Sequence, residues 1–240
     1  MQYQLYYWPS IQGRGEFVRL ALEEAGADYV DVARRSGRGM GVKALEKFLD
    51  DEKLATAPYA PPFLKAGRLI IGQTANILFY LGRRHGLAPR NEAGGLWVNQ
   101  LQLTVADFVT EIHDTHHPIG SSLYYHQQKA EARRRAKNFR MERMPKFLGY
   151  FEQVLSGGKG RRYMAGNKFS YADLSMFQLV AGLRFAFPNT MKNQEPDYPW
   201  LIDLHDRVAA RPNIAAYLAS KRRIAFNEYG IFRYYAELDG

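Results

Sequence analysis

Gly72-Gln73-Thr74 stands between a strand-like run and a helical one, and those residue types in that order suit the capture of a small anion. The first-turn N–H groups of a helix have no intrahelical partner, and the helix dipole favours negative charge beside them. Gln73 adds an amide and Thr74 a hydroxyl, a set that fits a small carboxylate better than a nucleotide. The same residues also make an ordinary strand-to-helix turn with Thr74 as its cap. His113 and His117 offer a second chemistry, because histidines four apart share a helix face and can ligate a metal, with His116 beside them. They lack the glutamate of a metalloprotease pattern and a further ligand, so no metal is expected. The chain has no cysteine, which excludes disulfides, thiolate metal sites and a protein thiol nucleophile. Sulfur chemistry here must use a thiol brought by a ligand.

The elements that position these residues follow from periodicity. Tyr3 to Trp8 is an aromatic strand, ended by the loop Pro9–Gly13. Phe17, Val18, Leu20, Ala21, Leu22 and Ala25 mark an amphipathic helix over Gly15–Ala25 with Gly26 as its stop, and Tyr29–Val32 is a second strand. Strand, helix and strand within about thirty residues make a βαβ unit, whose strands run parallel. A basic loop with Gly37, Gly39 and Gly41 leads to a short helix at Val42–Leu49. Pro61-Pro62 then opens a hairpin of Phe63-Leu64 and Leu69-Ile70-Ile71 around the turn Lys65–Arg68. Thr74 starts a helix that ends on Arg83, Arg84 and His85 with Gly86 as its stop. This order over residues 1–88 is that of an α/β thioredoxin-like domain, with a cis-proline expected at Pro62. Residues 88–95 read as a linker, after which strand signals vanish. Helical patterns cover Leu96–Thr115, Lys129–Leu155, a segment begun by the capping box Ser170-Tyr171-Ala172-Asp173, Leu201–Ala210 and Ile214–Lys221. The second domain, residues 96–240, is therefore expected to be an all-α bundle with an aromatic tail of no clear period.

Composition sets the class. A chain of 240 residues with 46% hydrophobic and 24% charged residues is an ordinary globular protein. No apolar run is long enough to span a bilayer and the N-terminus shows no signal-peptide pattern, so the cytoplasm is the expected address and a membrane is not an expected partner. The formal net charge of +9 asks for an anionic partner. Arg133-Arg134-Arg135, Arg161-Arg162 and Lys221-Arg222-Arg223 hold much of it, without interleaved aromatics or a nucleic-acid module, and read as solvated helix faces.

Taken together, these segments resemble the cytosolic glutathione S-transferase family over nearly the whole chain. Tyr7-Trp8-Pro9 with Gly13-Arg14-Gly15-Glu16 and Arg19-Leu20 is similar to the tyrosine-type enzymes of the pi, mu, alpha and sigma classes. Pro62, Gln73-Thr74, Tyr80-Leu81-Gly82, the Ser170–Asp173 box and Arg211-Pro212 match further family motifs in order and spacing. The resemblance implies a dimeric transferase that joins the thiol of glutathione to small hydrophobic electrophiles, a detoxifying reaction. It implies that Tyr7 stabilises the thiolate with Arg14 as the nearby cation. It implies glutathione contacts at Trp8, Lys53 or Lys47, Pro61, Pro62, Gln73 and Thr74, with Asp107 reaching across a dimer interface. His113, His116, His117 and the aromatic tail would line the electrophile pocket. Tyr6 is the rival hydroxyl, but strand alternation puts it on the opposite face from Tyr7.

Two departures stand out. The residue before the cis-proline normally gives its N–H to the ligand, and here it is Pro61, which has none. The Pro9–Gln12 loop is one residue longer than in the pi class. The alternatives left open are a non-catalytic glutathione-binding relative and a glutathione-dependent peroxidase or isomerase.

Overall fold

A computed structural model describes residues 1–158 and 160–240. It contains one sheet of four strands, β1 (Tyr3–Tyr6), β2 (Tyr29–Asp31), β3 (Phe63–Ala66) and β4 (Leu69–Gly72), in the order β2-β1-β3-β4. β1 runs parallel to β2 with Tyr3 opposite Tyr29, and β3 is antiparallel to both β1 and β4. The βαβ unit and the hairpin thus share one sheet. Helix α1 (Gly15–Glu24) crosses between β1 and β2, α2 (Val42–Leu49) leads to β3, and α3 (Thr74–His85) follows β4.

Alternation along β1 divides the core. Tyr3 and Leu5 join the large apolar cluster that α1 and α3 close. Tyr6 faces the other way, stacked on Phe63 with ring centroids 4.6 Å apart and packed with Leu45 of α2. The sheet is therefore a layer between α1 and α3 on one side and α2 on the other. The Pro61-Pro62 peptide bond is cis.

After residue 88, apart from the isolated bridges Tyr163–Gly166 and Ala165–Lys168, the described residues are helical or irregular: α4 (Glu92–Asp114), α5 (Lys129–Asn138), α6 (Met144–Ser156), α7 (Tyr171–Ala186), α8 (Pro188–Gln194), α9 (Pro199–Ala209), α10 (Pro212–Leu218) and α11 (Ala236–Asp239). Helix α7 is buried along nearly its whole length and packs on α1, α4 and α9, so it is the central post of this part.

Several elements differ from the sequence expectation for identifiable reasons. Helix α4 begins at Glu92, not Leu96, because Asn91 Oδ1 accepts the Gly94 N–H at 3.1 Å and caps it. Gly94 reads as a breaker, yet a Cβ there would come within 2.5 Å of both Pro89 and Asn91. The run Lys129–Leu155 is one helical pattern but not one α-helix, since Phe139–Arg143 winds as a π turn. Pro145 has no N–H for the Met141 carbonyl, so the regular ladder cannot continue there. The tail is less formless than its sequence: Asp239 of α11 accepts the Asn189 and Thr190 N–H groups at 2.7 and 3.0 Å and caps α8. Among the described residues no helix is long and apolar enough to cross a membrane.

Candidate active site

Tyr7 lies just beyond the end of β1, 5% exposed, with its ring against the start of α1. Its hydroxyl oxygen accepts the Arg14 backbone N–H at 2.9 Å. The hydroxyl proton is not given to any described residue and stays available for a further acceptor. Burial pushes this phenol above its ordinary range, while the Arg14 N–H and the charges of Arg14 and Arg19 act against burial. At neutral pH Tyr7 is therefore a hydrogen-bond donor and not a base.

Arg14 joins this hydroxyl to an open cleft of about 500 Å³. Gln73, Thr74, Asn76 and Phe79 line the same cleft, with Asn99, Leu103 and Ala106 of α4 opposite. The anion-site residues and Arg14 are thus brought together. Two details depart from the sequence reading. Gln73, not Thr74, occupies the N-cap of α3, and Thr74 is the first helical residue. Gln73 also has φ +66°, a conformation that side chains other than glycine adopt at a cost and that is common at ligand clamps. Thr74 Oγ1 is buried without a hydrogen-bond partner among the described residues, facing a helix start whose N–H groups are unspent. A carboxylate placed there would satisfy both. The donor set suits the charge of a small carboxylate.

Other expected contacts are less convergent. Pro62 is buried and Pro61 half-buried at the start of β3, while Trp8 is 37% exposed. Lys47 and Lys53 are exposed, and neither belongs to the lining of this cleft. Asp107 is exposed on α4, one residue past the cleft-lining Ala106.

His113, His116 and His117 do cluster, with ring centroids 4.8–5.3 Å apart. They have different tasks. His116 is 1% exposed, and its Nε2 lies 2.8 Å from the Ile231 carbonyl. A carbonyl only accepts, so His116 carries its proton on Nε2 and offers Nδ1 to His117 Nδ1–H at 2.5 Å. Nε2 is spent on the tail and Nδ1 on His117, so His116 presents no polar atom to a ligand. His117 lines a second cleft, of about 840 Å³, with Tyr124, Tyr125, Tyr229 and Arg233. His113 is pushed below its ordinary range chiefly by burial, with Arg14 and Arg233 adding to it. Among the described residues no group of three or more histidine, cysteine, aspartate or glutamate side chains is placed to hold a metal ion.

Sequence reasoning missed the polar floor of the site. Arg19 is fully buried on α1, paired with Glu16 at 3.2 Å and Asp31 at 2.7 Å, and its guanidinium lies 5.7 Å from the Tyr7 ring centroid. The available signal was the position of Arg19 amid Phe17, Val18, Leu20 and Ala21, all of them core positions.

A thioredoxin-like sheet followed by an all-helical part, with a buried tyrosine at the end of the first strand, defines a two-part α/β plus all-α protein. Residues 113–221 match the model of the glutathione S-transferase C-terminal domain. The chain is 25% identical over 228 residues to a glutathione S-transferase of Plasmodium falciparum (isolate 3D7), covering 92% of this chain and 97% of that one. It is 26% identical over 225 residues to glutathione S-transferase P 1 of Xenopus laevis, covering 92% and 93%. The pi-class glutathione S-transferase structure of Onchocerca volvulus superposes with a TM-score of 0.69 at 23% identity, covering 91% and 92%. Each of these likenesses is to a glutathione S-transferase, and they cover the fold of nearly the whole chain.

Proposed function

We propose that the protein is a glutathione transferase in which Tyr7 stabilises the thiolate of reduced glutathione for attack on a small electrophile. The observation that carries this reading is the Arg14 junction: its backbone N–H fixes the Tyr7 hydroxyl, and the same residue lines the cleft that holds Gln73 and Thr74. A free thiol titrates near pH 8.5, so a bare tripeptide is mostly protonated at neutral pH. Lowering that value by about two units takes roughly 2.7 kcal/mol of preference for the thiolate. The Tyr7 O–H bond to sulfur and the Arg14 charge supply it together. The thiol proton leaves to solvent, Tyr7 keeps its own, and the sulfur lone pair forms the new carbon–sulfur bond as the leaving group departs with its electron pair.

Residues 1–88 would hold glutathione and residues 96–240 the electrophile, with the second cleft at His117 as the pocket and the His113 ring stacked on that of His117 at 5.3 Å. Lys53 or Lys47 would swing onto the glycyl carboxylate, and Asp107 would serve the second subunit of a homodimer, consistent with its exposure on α4. Pro61 gives no N–H to the ligand, which lowers affinity by roughly 1 kcal/mol against a relative that has one.

Steady-state conjugation of glutathione to chlorodinitrobenzene tests the reading. Tyr7→Phe is expected to lower kcat roughly tenfold or more, on the order of 1.4 kcal/mol, with the KM for glutathione little changed. Wild-type binding of glutathione without conjugation would make the protein a binding module and end the transferase reading.

A further inference from the structure

A closed hydrogen-bonded ring lies under the loop that carries Arg14. Arg223 Nη2 donates to Gln178 Oε1 at 2.9 Å, Gln178 Nε2 to Gln12 Oε1 at 2.7 Å, and Gln12 Nε2 to the Ile224 carbonyl at 2.5 Å. A guanidinium can only donate, so it fixes which end of the Gln178 amide faces it. That orientation fixes Gln12 in turn, and the ring returns to the chain one residue past Arg223.

The same guanidinium meets Glu16 Oε1 at 2.5 Å, which also accepts the Tyr217 hydroxyl at 2.7 Å. Glu16 holds Arg19, and Arg19 Nη1 reaches the carbonyls of Ile11 and Gln12 at 3.3 and 3.4 Å. Asn227 Nδ2 adds a bond to the Ser10 carbonyl at 2.8 Å. Glu16, Arg19 and Gln178 are fully buried and Gln12 is 4% exposed, so water does not compete for these groups. Glu16 pairs with both Arg19 and Arg223, and Asp31 with Arg19 and, at 3.8 Å, with Arg34. The loop Pro9–Gly13 is thus held by the segment 217–227 of the distant C-terminal part, and it ends at the N–H that meets Tyr7.

We propose that Arg223 is a positioning residue for Tyr7: through Gln178, Gln12 and Glu16 it sets the loop that delivers the Arg14 N–H to the Tyr7 hydroxyl. The inference rests on the transferase reading and adds a residue to it. Gln73 and Thr74 stand outside the ring, at the junction of β4 and α3. Loss of Arg223 therefore affects the chemical step more than glutathione capture, which keeps Gln73 and Thr74 and is touched only through Arg14. Lysine at 223 keeps the charge on Glu16 but presents one ammonium where the fork served two acceptors.

Wild type, Arg223→Met, Arg223→Lys and Gln12→Met are compared by steady-state conjugation with chlorodinitrobenzene and by titration with S-methylglutathione, which binds without turning over. Both methionine variants are expected to lose roughly tenfold or more in kcat, the scale of a small misplacement at the reacting atoms. Their glutathione KM and S-methylglutathione Kd stay within about twofold of wild type, and Arg223→Lys recovers part of kcat. Unchanged kcat in Gln12→Met, or equal losses of binding and turnover in the folded variants, overturns the proposal. If Arg223→Met does not fold, Gln12→Met decides, because it leaves the Arg223–Glu16 pair intact. A wild type that binds S-methylglutathione without conjugating overturns the transferase reading. An active wild type with unaffected variants overturns the role of Arg223 alone.

Discussion

At the scale of single residues, Tyr7 is placed by what its neighbours lack. A Cβ on Gly13 would lie 2.1 Å from the Tyr7 hydroxyl oxygen, and one on Gly15 would lie 2.4 Å from its Cδ1. Gly13 also has φ +46°, which other side chains rarely adopt. The pair brackets Arg14, so the chain can turn tightly enough for the Arg14 N–H to reach the phenol. Gly15→Ala should therefore push the ring by about 1 Å, lowering kcat roughly tenfold to a hundredfold and stability by about 1–3 kcal/mol. Gly149→Ala in α6 is the comparison, since a Cβ there meets nothing within 4 Å. Kinetics and thermal unfolding of the two variants check this, and equal activity in both would show that the Tyr7 ring is not held by Gly15. In the sequence, Gly13-Arg14-Gly15 is legible as a motif of the resemblance, but its tight packing is not, because the ring that requires it lies just beyond the end of β1.

At the scale of elements, the start of α7 shows how local signal and distant contact combine. Asp173 accepts the Ser170 N–H at 2.7 Å and the Ser170 hydroxyl at 2.8 Å, the reciprocal cap read from Ser170-Tyr171-Ala172-Asp173. Its other oxygen accepts the Met164 N–H at 2.8 Å, tying the segment before α7 to the helix. Asp173→Ala leaves two buried backbone donors unpaired, and the expected loss is roughly 2–4 kcal/mol in denaturant unfolding. A loss under about 1 kcal/mol would mean that water satisfies those groups and that the box is peripheral. The cap was legible because it spans four residues. The hairpin was legible for the same reason, with turn and alternation lying side by side in the chain. The π turn at Phe139–Arg143 and the early start of α4 at Glu92 were not, since Pro145 and Gly94 each act through a neighbouring turn that a periodicity count averages away. Gln73 illustrates the limit at the site: its identity suggested an amide donor, but its positive φ belongs to the bend between β4 and α3.

At the scale of the whole molecule, the C-terminal tail is bound by polar contacts that no sequence period can reveal, since the partners lie from 49 to 212 positions apart. His116 holds the Ile231 carbonyl as Gln12 holds that of Ile224. The His116 contact carries a pH dependence. Burial first, and then the charges of Arg233, His113 and His117, bring the His116 imidazole down to about 2. His117 falls to about 4, and His113 and His205 are lowered as well, each chiefly by burial. The unfolded chain takes up protons at these groups below about pH 6.5, where the folded one does not, so stability is full above that value and is lost as pH falls. For His116 alone the loss reaches about 1.4 kcal/mol at pH 5.5. Burial raises Asp31, and Asp173 rises to about 6, so both carboxyl groups run the other way and offset part of the loss in wild type. His116→Gln removes one term and leaves the rest, because its amide can donate to the Ile231 carbonyl and accept from His117 as the imidazole does. Urea unfolding at pH 7.5 and 5.5 is expected to show a drop about 1.4 kcal/mol smaller in His116→Gln than in wild type. An identical drop in both proteins would mean that His116 is protonated in the folded state, with the tail released from Ile231 in mild acid.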